Sequence, residues 1–229
     1  MDLVLLPGFM TDNSLWDDVL PALERMGLVH FGDLTKDDSI AGMARRVLGA
    51  APDRFVLIGF SMGGYVAREV VRTAPDRVEA LVLAATSARA DTPDQARRKA
   101  AASENVMRLG FEGLSRKAVV ASLHPARASD NGLIERIRGM GDRLGGDVFL
   151  RQARQTRASD LDRLDQIRCP TLIIAAAQDT LRSLEEAREL HAGIPGSVLT
   201  VIEGSGHMLP VEEPVALMNA IAAWWAAFH

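Results

Sequence analysis

Short runs of apolar residues, each about the length of a β-strand, recur along the chain and alternate with segments of helical spacing. The runs read as continuous Val, Leu and Ile rather than as apolar–polar alternation, which is typical of parallel strands buried on both faces. The pattern predicts an α/β fold in which helices flank a mostly parallel central sheet of about six strands. The six runs are 3–6, 28–31, 55–58, 78–84, 171–175 and 198–202.

The pattern changes between residues 87 and 165. No strand-length run occurs there, and the segment is rich in Ala and Arg at helical spacing, with glycines that divide it into four or five helices. We therefore expect an all-helical insertion at 87–165 within a core formed by 1–86 and 166–229.

Composition and charge narrow the functional class. The chain has 229 residues, of which 48% are hydrophobic and 24% charged, as is usual for a globular domain. The net charge is −4 and basic residues are interleaved with acidic ones, so we expect no nucleic-acid partner. The first apolar run is short and has no basic segment before it, so we expect no membrane segment and a cytoplasmic protein. The single cysteine, Cys169, is interpreted as a buried filler.

The strongest chemical signal lies at residues 59–64, with the sequence Gly-Phe-Ser-Met-Gly-Gly. This segment follows a predicted strand and leads into a helical pattern. A serine on such a tight turn has a strained backbone, and the flanking glycines let the strand and helix approach each other. Ser61 is therefore the candidate nucleophile.

A serine hydroxyl needs a base within hydrogen-bonding reach, most often a histidine. Of the five histidines, His207 follows the last predicted strand directly, and Asp179 follows the strand before it. Functional groups in parallel sheets gather at the carboxyl ends of strands, and the order Ser, Asp, His is that of an α/β-hydrolase triad. We assign His207 as the base and Asp179 as its orienting acid; the alternative for Asp179 is a cap of the following helix.

Acyl transfer also needs two backbone N–H donors for the oxyanion. The N–H of Met62, next to the nucleophile, is one candidate. The other is the N–H of Phe9, in the Gly-containing loop after the first strand. An ordinary strand-to-helix turn is the alternative interpretation of that loop.

These motifs together resemble the α/β-hydrolase superfamily, and within it the compact group of carboxylesterases, enol-lactone hydrolases and meta-cleavage-product hydrolases. The resemblance spans nearly the whole chain. It implies that 87–165 is a helical cap over the site. Phe9, Met62 and Met208 flank the candidate catalytic residues in sequence and suggest an apolar acyl pocket; the alternative for each is a place in the core. The resemblance rests on the segments 6–9, 59–64, 74–78, 169–171 before Asp179, and 206–207 followed by 213–214.

Three positions depart from the pattern of that group. Pro7-Gly8 replaces the usual His-Gly, Ala177 replaces a glycine two residues before the acid, and Arg182 stands where a proline is common. Arg157 and Asp160, at the expected exit of the cap, allow two interpretations. They form an ion pair that ties cap to core, or Arg157 binds a substrate carboxylate.

The leading hypothesis is an enzyme, a serine hydrolase that cleaves a small carboxylic ester or lactone through an acyl-enzyme on Ser61. No metal or organic cofactor is implied, because the sequence has no metal-ligand motif and no paired cysteines. Two alternatives remain open. One is an acyltransferase or C–C bond hydrolase on the same three residues, and the other is a ligand-binding receptor on a hydrolase scaffold.

Overall fold

The structure, a computed structural model, describes residues 1–228; His229 lies outside the described residues. Six parallel strands form one sheet in the order β2-β1-β3-β4-β5-β6, which confirms the predicted fold class. The strands are β1 (Asp2–Leu6), β2 (Leu28–Phe31), β3 (Phe55–Phe60), β4 (Val78–Ala84), β5 (Thr171–Ala176) and β6 (Val198–Ile202).

Nine α-helices connect or follow the strands within the described residues. Several begin at a side-chain cap: the side chains of Ser39, Thr92 and Ser183 each accept a backbone N–H from the first turn of the helix that follows. The helices are α1 (Leu20–Met26), α2 (Ile40–Ala50), α3 (Met62–Thr73), α4 (Pro93–Leu109), α5 (Arg116–Ser122), α6 (Asn131–Ala153), α7 (Leu184–Gly193), α8 (Leu209–Glu212) and α9 (Pro214–Phe228).

The sheet has a hydrophobic core on each face. Alternate residues of a strand point to opposite faces, so Leu3 and Leu5 belong to one apolar cluster while Val4 and Leu6 belong to the other. The first cluster extends to α1 and α9, and the second to α2, α3 and α7. Burial on both faces explains why the central strands are apolar throughout.

Only helices, 3₁₀ turns and loops occur between β4 and β5 in the described chain. This segment contains α4, α5 and α6, where α6 is broken at Gly145, whose φ of 74° is outside the helical region. Residues of α5 and α6 such as Val119 and Ile137 pack into the same cluster as Leu15 and Trp16. The segment therefore packs against the apolar cluster on one face of the sheet.

Candidate active site

The turn between β3 and α3 holds Ser61 in a strained backbone conformation. Ser61 has φ 50° and ψ −111°, a region that L-residues rarely adopt. The surrounding structure fixes it: the Ser61 N–H donates to Ala84 O at 2.9 Å, and Thr86 Oγ1 donates to Ser61 O at 2.7 Å. These bonds hold the backbone of the turn in this conformation.

Glycines at the turn are required by close packing. A Cβ at Gly63 would lie 2.3 Å from the carbonyl oxygen of Leu6, and one at Gly64 would lie 2.4 Å from Thr86 Oγ1. The first contact is with the backbone of β1, which cannot move aside without disturbing the sheet. Helix α3 therefore begins directly behind the serine only because Gly63 has no side chain.

A continuous hydrogen-bond chain links the three predicted residues. His207 Nε2 lies 2.9 Å from Ser61 Oγ, and His207 Nδ1 lies 2.7 Å from Asp179 Oδ2. A carboxylate accepts, so the tautomer that fits this chain has the proton on Nδ1 and leaves Nε2 to accept from the serine hydroxyl. All three residues are buried. This geometry suits proton removal from a nucleophile by an oriented imidazole.

Asp179 does not cap the following helix. Its Oδ1 accepts the backbone N–H groups of Leu181 at 2.7 Å and Arg182 at 2.9 Å, whereas α7 is capped by Ser183 in a capping box with Glu186. The bonds to Oδ1 hold the carboxylate so that Oδ2 faces His207. The other described histidines, at positions 30, 124 and 191, are not bonded to Ser61; His30, for example, pairs with Asp2.

The loop after β1 brings Phe9 to the site. Gly8 N–H donates to Thr11 Oγ1 at 2.8 Å and Met10 N–H donates to Gln152 Oε1 at 2.9 Å, while the Phe9 N–H has no hydrogen-bond partner among residues 1–228. Met62 is the first residue of α3, so its N–H has no partner in the preceding turn. These are the two N–H groups expected to face an oxyanion.

The predicted pocket residues separate into two groups. Phe9 and Met208 line a cavity of about 430 Å³ that also contains Ser61 and His207. The side chain of Met62 instead is fully buried in the core cluster with Leu6 and Val66. The expectation that Met62 lines the acyl pocket is corrected, because its side chain points into the α3–sheet interface while only its backbone faces the turn.

Arg157 and Asp160 do not pair with each other. Asp160 accepts from Arg68 Nε at 2.9 Å and from Arg72 at 2.7 Å, whereas Arg157 lies 3.6 Å from Asp91 and lines the same cavity as Ser61. The interpretation of Arg157 and Asp160 as an ion pair is wrong, because the Asp160 carboxylate binds two arginines of helix α3, Arg68 and Arg72, instead.

Sequence reasoning missed Glu212, which supports the histidine loop. Its carboxylate accepts the backbone N–H of His124 at 2.6 Å and of Met208 at 3.2 Å, and Ser205 Oγ lies 3.4 Å away. Burial raises the pKa of Glu212, and the N–H donors oppose that shift. Its position five residues after His207 was the only available signal.

Among residues 1–228, no group of three or more His, Cys, Asp or Glu side chains is arranged to hold a metal ion. In the same part of the chain, no helix is long and apolar enough to cross a membrane.

Comparison with known proteins agrees with the fold. Residues 3–221 match the model of the alpha/beta hydrolase family, and the chain belongs to that family. A thermophilic esterase from Thermogutta terrifontis superposes with a TM-score of 0.88 at 28% identity, over 100% of this chain and 90% of that one. The enol-lactonase of Burkholderia xenovorans LB400, at 21% identity and TM-score 0.87 over 98% of this chain and 91% of its own, shows the shared fold.

A curated relative matches over a shorter region. The pimeloyl-[acyl-carrier protein] methyl ester esterase of Klebsiella pneumoniae strain 342 is 39% identical over 93 residues, which are 37% of this chain and 36% of the relative. The match thus spans about a third of the length of that relative. Together the family and its neighbours support a hydrolase enzyme.

Proposed function

We propose that this protein hydrolyses a carboxylic ester or lactone through an acyl-enzyme on Ser61. The observation that carries the proposal is the hydrogen-bond chain from Ser61 through His207 to Asp179, with distances of 2.9 and 2.7 Å. The names of the relatives, an esterase and a methyl ester esterase, favour an ester bond as the target.

The proposed reaction has two halves. His207 Nε2 removes the hydroxyl proton as Ser61 Oγ attacks the carbonyl carbon, and the same proton passes to the leaving alcohol as the C–O bond breaks. Asp179 holds the imidazole in the required tautomer and stabilises its charged form. Water, deprotonated by His207, then attacks the acyl-enzyme and releases the acid and the free serine.

Two backbone groups are proposed to stabilise the oxyanion, the N–H of Phe9 and the N–H of Met62. The support is that neither has a partner in the described chain while the neighbouring N–H groups of Gly8 and Met10 do. Preorganised donors of this kind lower the barrier because they need no reorganisation during the reaction.

We further propose that residues 87–165 act as a cap over a core formed by 1–86 and 166–229. The cavity combines Ser61 and His207 of the core with Gln95 of α4, Val119 of α5 and Ile137 of α6. The cavity volume of about 430 Å³ and side chains such as Phe9 and Phe60 suit a small substrate with an apolar portion.

The test is turnover of p-nitrophenyl acetate, butyrate and octanoate by the wild type and by Ser61→Ala and His207→Ala. The chain provides a matched control pair, Ser197 and His191, whose side chains lie 3.1 Å apart but outside this cavity. We expect both site variants to lose at least about 10³-fold in kcat and Ser197→Ala and His191→Ala to keep wild-type rates. Turnover that survives in Ser61→Ala would overturn the proposal.

A further inference from the structure

The cavity that holds Ser61 has a cationic wall that the proposed hydrolysis does not use. Four basic side chains line it beside a single acidic one, and they come from α4, from the segment before β5 and from the loop after β5. The basic residues are Arg98, Lys99, Arg157 and Arg182, and the acidic residue is Asp91.

Arg157 and Arg182 are held side by side on one aromatic ring. Their Cζ atoms lie 5.0 and 5.8 Å from the ring centroid of Tyr65, which is four residues after Ser61 on α3. The side chains are only 10% and 11% exposed. Both guanidinium groups are therefore fixed in place within the cavity wall by stacking and burial.

Neither guanidinium has a hydrogen-bond partner for all of its N–H donors. The Nε atoms of Arg157 and Arg182 are buried and have no hydrogen-bond partner within residues 1–228. Arg157 has its nearest carboxylate oxygen, on Asp91, at 3.6 Å, and Asp91 also accepts from Lys99 at 2.6 Å. Arg182 has one contact of 3.5 Å to Glu186. Buried donors without partners are costly, so this arrangement is poised for an acceptor from outside the chain.

A third arginine on the same ring, Arg68, differs from Arg157 and Arg182 in its hydrogen bonds. Arg68 lies 4.7 Å from the Tyr65 centroid and is fully buried, but it donates to both carboxylate oxygens of Asp160 and to the carbonyls of Gly64 and Ser87. Each of the three guanidinium nitrogens of Arg68 thus has a hydrogen-bond partner, which is not the case for Arg157 or Arg182.

The cations also repel one another. Burial lowers the pKa of Arg157 from its usual value and the neighbouring charge of Arg182 adds to the shift, while Tyr65 and Asp91 oppose it. Burial likewise lowers the pKa of Lys99, the hydrogen bond to Asp91 opposes this, and the charges of Arg157 and Arg182 lower it further. A bound anion would relieve this repulsion.

We propose that Arg157 and Arg182 form a carboxylate-binding subsite, and that the substrate is an ester or lactone bearing a free carboxylate. A planar carboxylate matches the fork of N–H donors on a guanidinium. This inference rests on the proposed function, since the subsite and Ser61 share one cavity. It also gives a role to Arg182, which stands where related hydrolases commonly have a proline.

The test compares each anionic ester with its uncharged amide counterpart. One pair places the carboxylate on the acyl side, monomethyl adipate and its monoamide; the other places it on the alcohol side, 6-acetoxyhexanoate and 6-acetoxyhexanamide. We expect wild-type kcat/KM to favour the anionic member of at least one pair by about 10- to 100-fold.

Variants that remove one positive charge test whether the preference for the anionic ester depends on Arg157 and Arg182. Arg157→Gln and Arg182→Gln should each reduce the ratio of kcat/KM on the anionic ester to that on the neutral one by about tenfold or more, whatever either variant does to the absolute rate. Arg97→Gln, which removes an exposed arginine on α4, should leave the ratio unchanged. Because the ratio is measured within one variant, a partial loss of folded protein cancels.

Two results would overturn the subsite, namely a wild-type ratio near one for both pairs, or a preference that survives in both variants. Failure of the hydrolase proposal is a separate result, in which wild type cleaves neither member of any pair. In that case calorimetry with adipate decides the subsite: binding to wild type that weakens in Arg157→Gln supports it, and no binding to wild type refutes it.

Discussion

Gln152 accepts a hydrogen bond from the backbone N–H of Met10, a residue 142 positions earlier in the chain, at 2.9 Å. Its amide nitrogen donates to Leu34 O at 3.2 Å, so one buried side chain of α6 joins the loops after β1 and β2. Met10 has a positive φ of 52°. The bond fixes the peptide next to the Phe9 N–H, which links the helical segment directly to the proposed oxyanion site.

Gln152→Ala is expected to reduce kcat by about 10- to 100-fold and to leave KM for a short ester within a few-fold, since the oxyanion donor acts mainly in the transition state. The loss of two buried hydrogen bonds should lower the free energy of unfolding by about 1–3 kcal/mol. Steady-state kinetics and urea unfolding measure both effects. Gln166→Ala, at an exposed glutamine, is the control; equal kcat in both variants would contradict the positioning role.

Asp179→Asn is expected to lower kcat by about 10³- to 10⁴-fold with little change in stability. An asparagine amide can donate to His207 Nδ1, which would move the imidazole proton to Nε2 and leave no acceptor for the serine hydroxyl. Activity against pH separates this effect from misfolding, with circular dichroism as the check on the fold. A variant within tenfold of wild type would show that Asp179 does not orient the base.

The lowered pKa of Asp160 leads to a prediction of how the free energy of unfolding depends on pH. Burial by itself would raise the pKa of Asp160, but the charges and hydrogen bonds of Arg68 and Arg72 outweigh it and hold the pKa below its usual value. A carboxylate with a lowered pKa contributes stability above its unfolded pKa of about 3.9, and that contribution is lost as pH falls through the folded pKa.

Asp160→Asn should therefore be less stable than wild type at pH 7 by about 3–5 kcal/mol, because Arg68 has no exposed side-chain surface and would keep an uncompensated charge. The deficit should shrink as the pH is lowered below about 4. Urea unfolding at several pH values tests this, beside Asp76→Asn at an exposed position. A deficit that stays constant across this range would contradict the ion-pair account.

The sequence predicted the sheet well because parallel strands buried on both faces leave continuous apolar runs. β2, β4 and β6 have the predicted bounds, and β3 extends two residues further, to Phe60, which delivers Ser61 directly to the turn. The three residues proposed for catalysis were found because each follows a strand end. Their roles remain predictions, and the structure brings their side chains within hydrogen-bonding distance.

Contacts between distant parts of the chain could not be predicted. The bonds from Gln152 to Met10 and from Asp160 to Arg68 join residues 142 and 92 positions apart, and no local pattern encodes them. The side chain of Met62 shows the converse, that residues adjacent in sequence need not share a site. Its nearness to Ser61 in sequence suggested the pocket, but the first turn of a helix directs neighbouring side chains to different sides.

The most direct test of the central claim is covalent labelling of the nucleophile. The protein is treated with a fluorophosphonate, which reacts with activated serines, and the adduct is located by peptide mass spectrometry in wild type, in Ser61→Ala and in Ser197→Ala. The account predicts one adduct, on Ser61, which forms in step with the loss of esterase activity. Wild type and Ser197→Ala should both carry it, and Ser61→Ala should not. An adduct on another residue, or full inactivation without modification of Ser61, would contradict it.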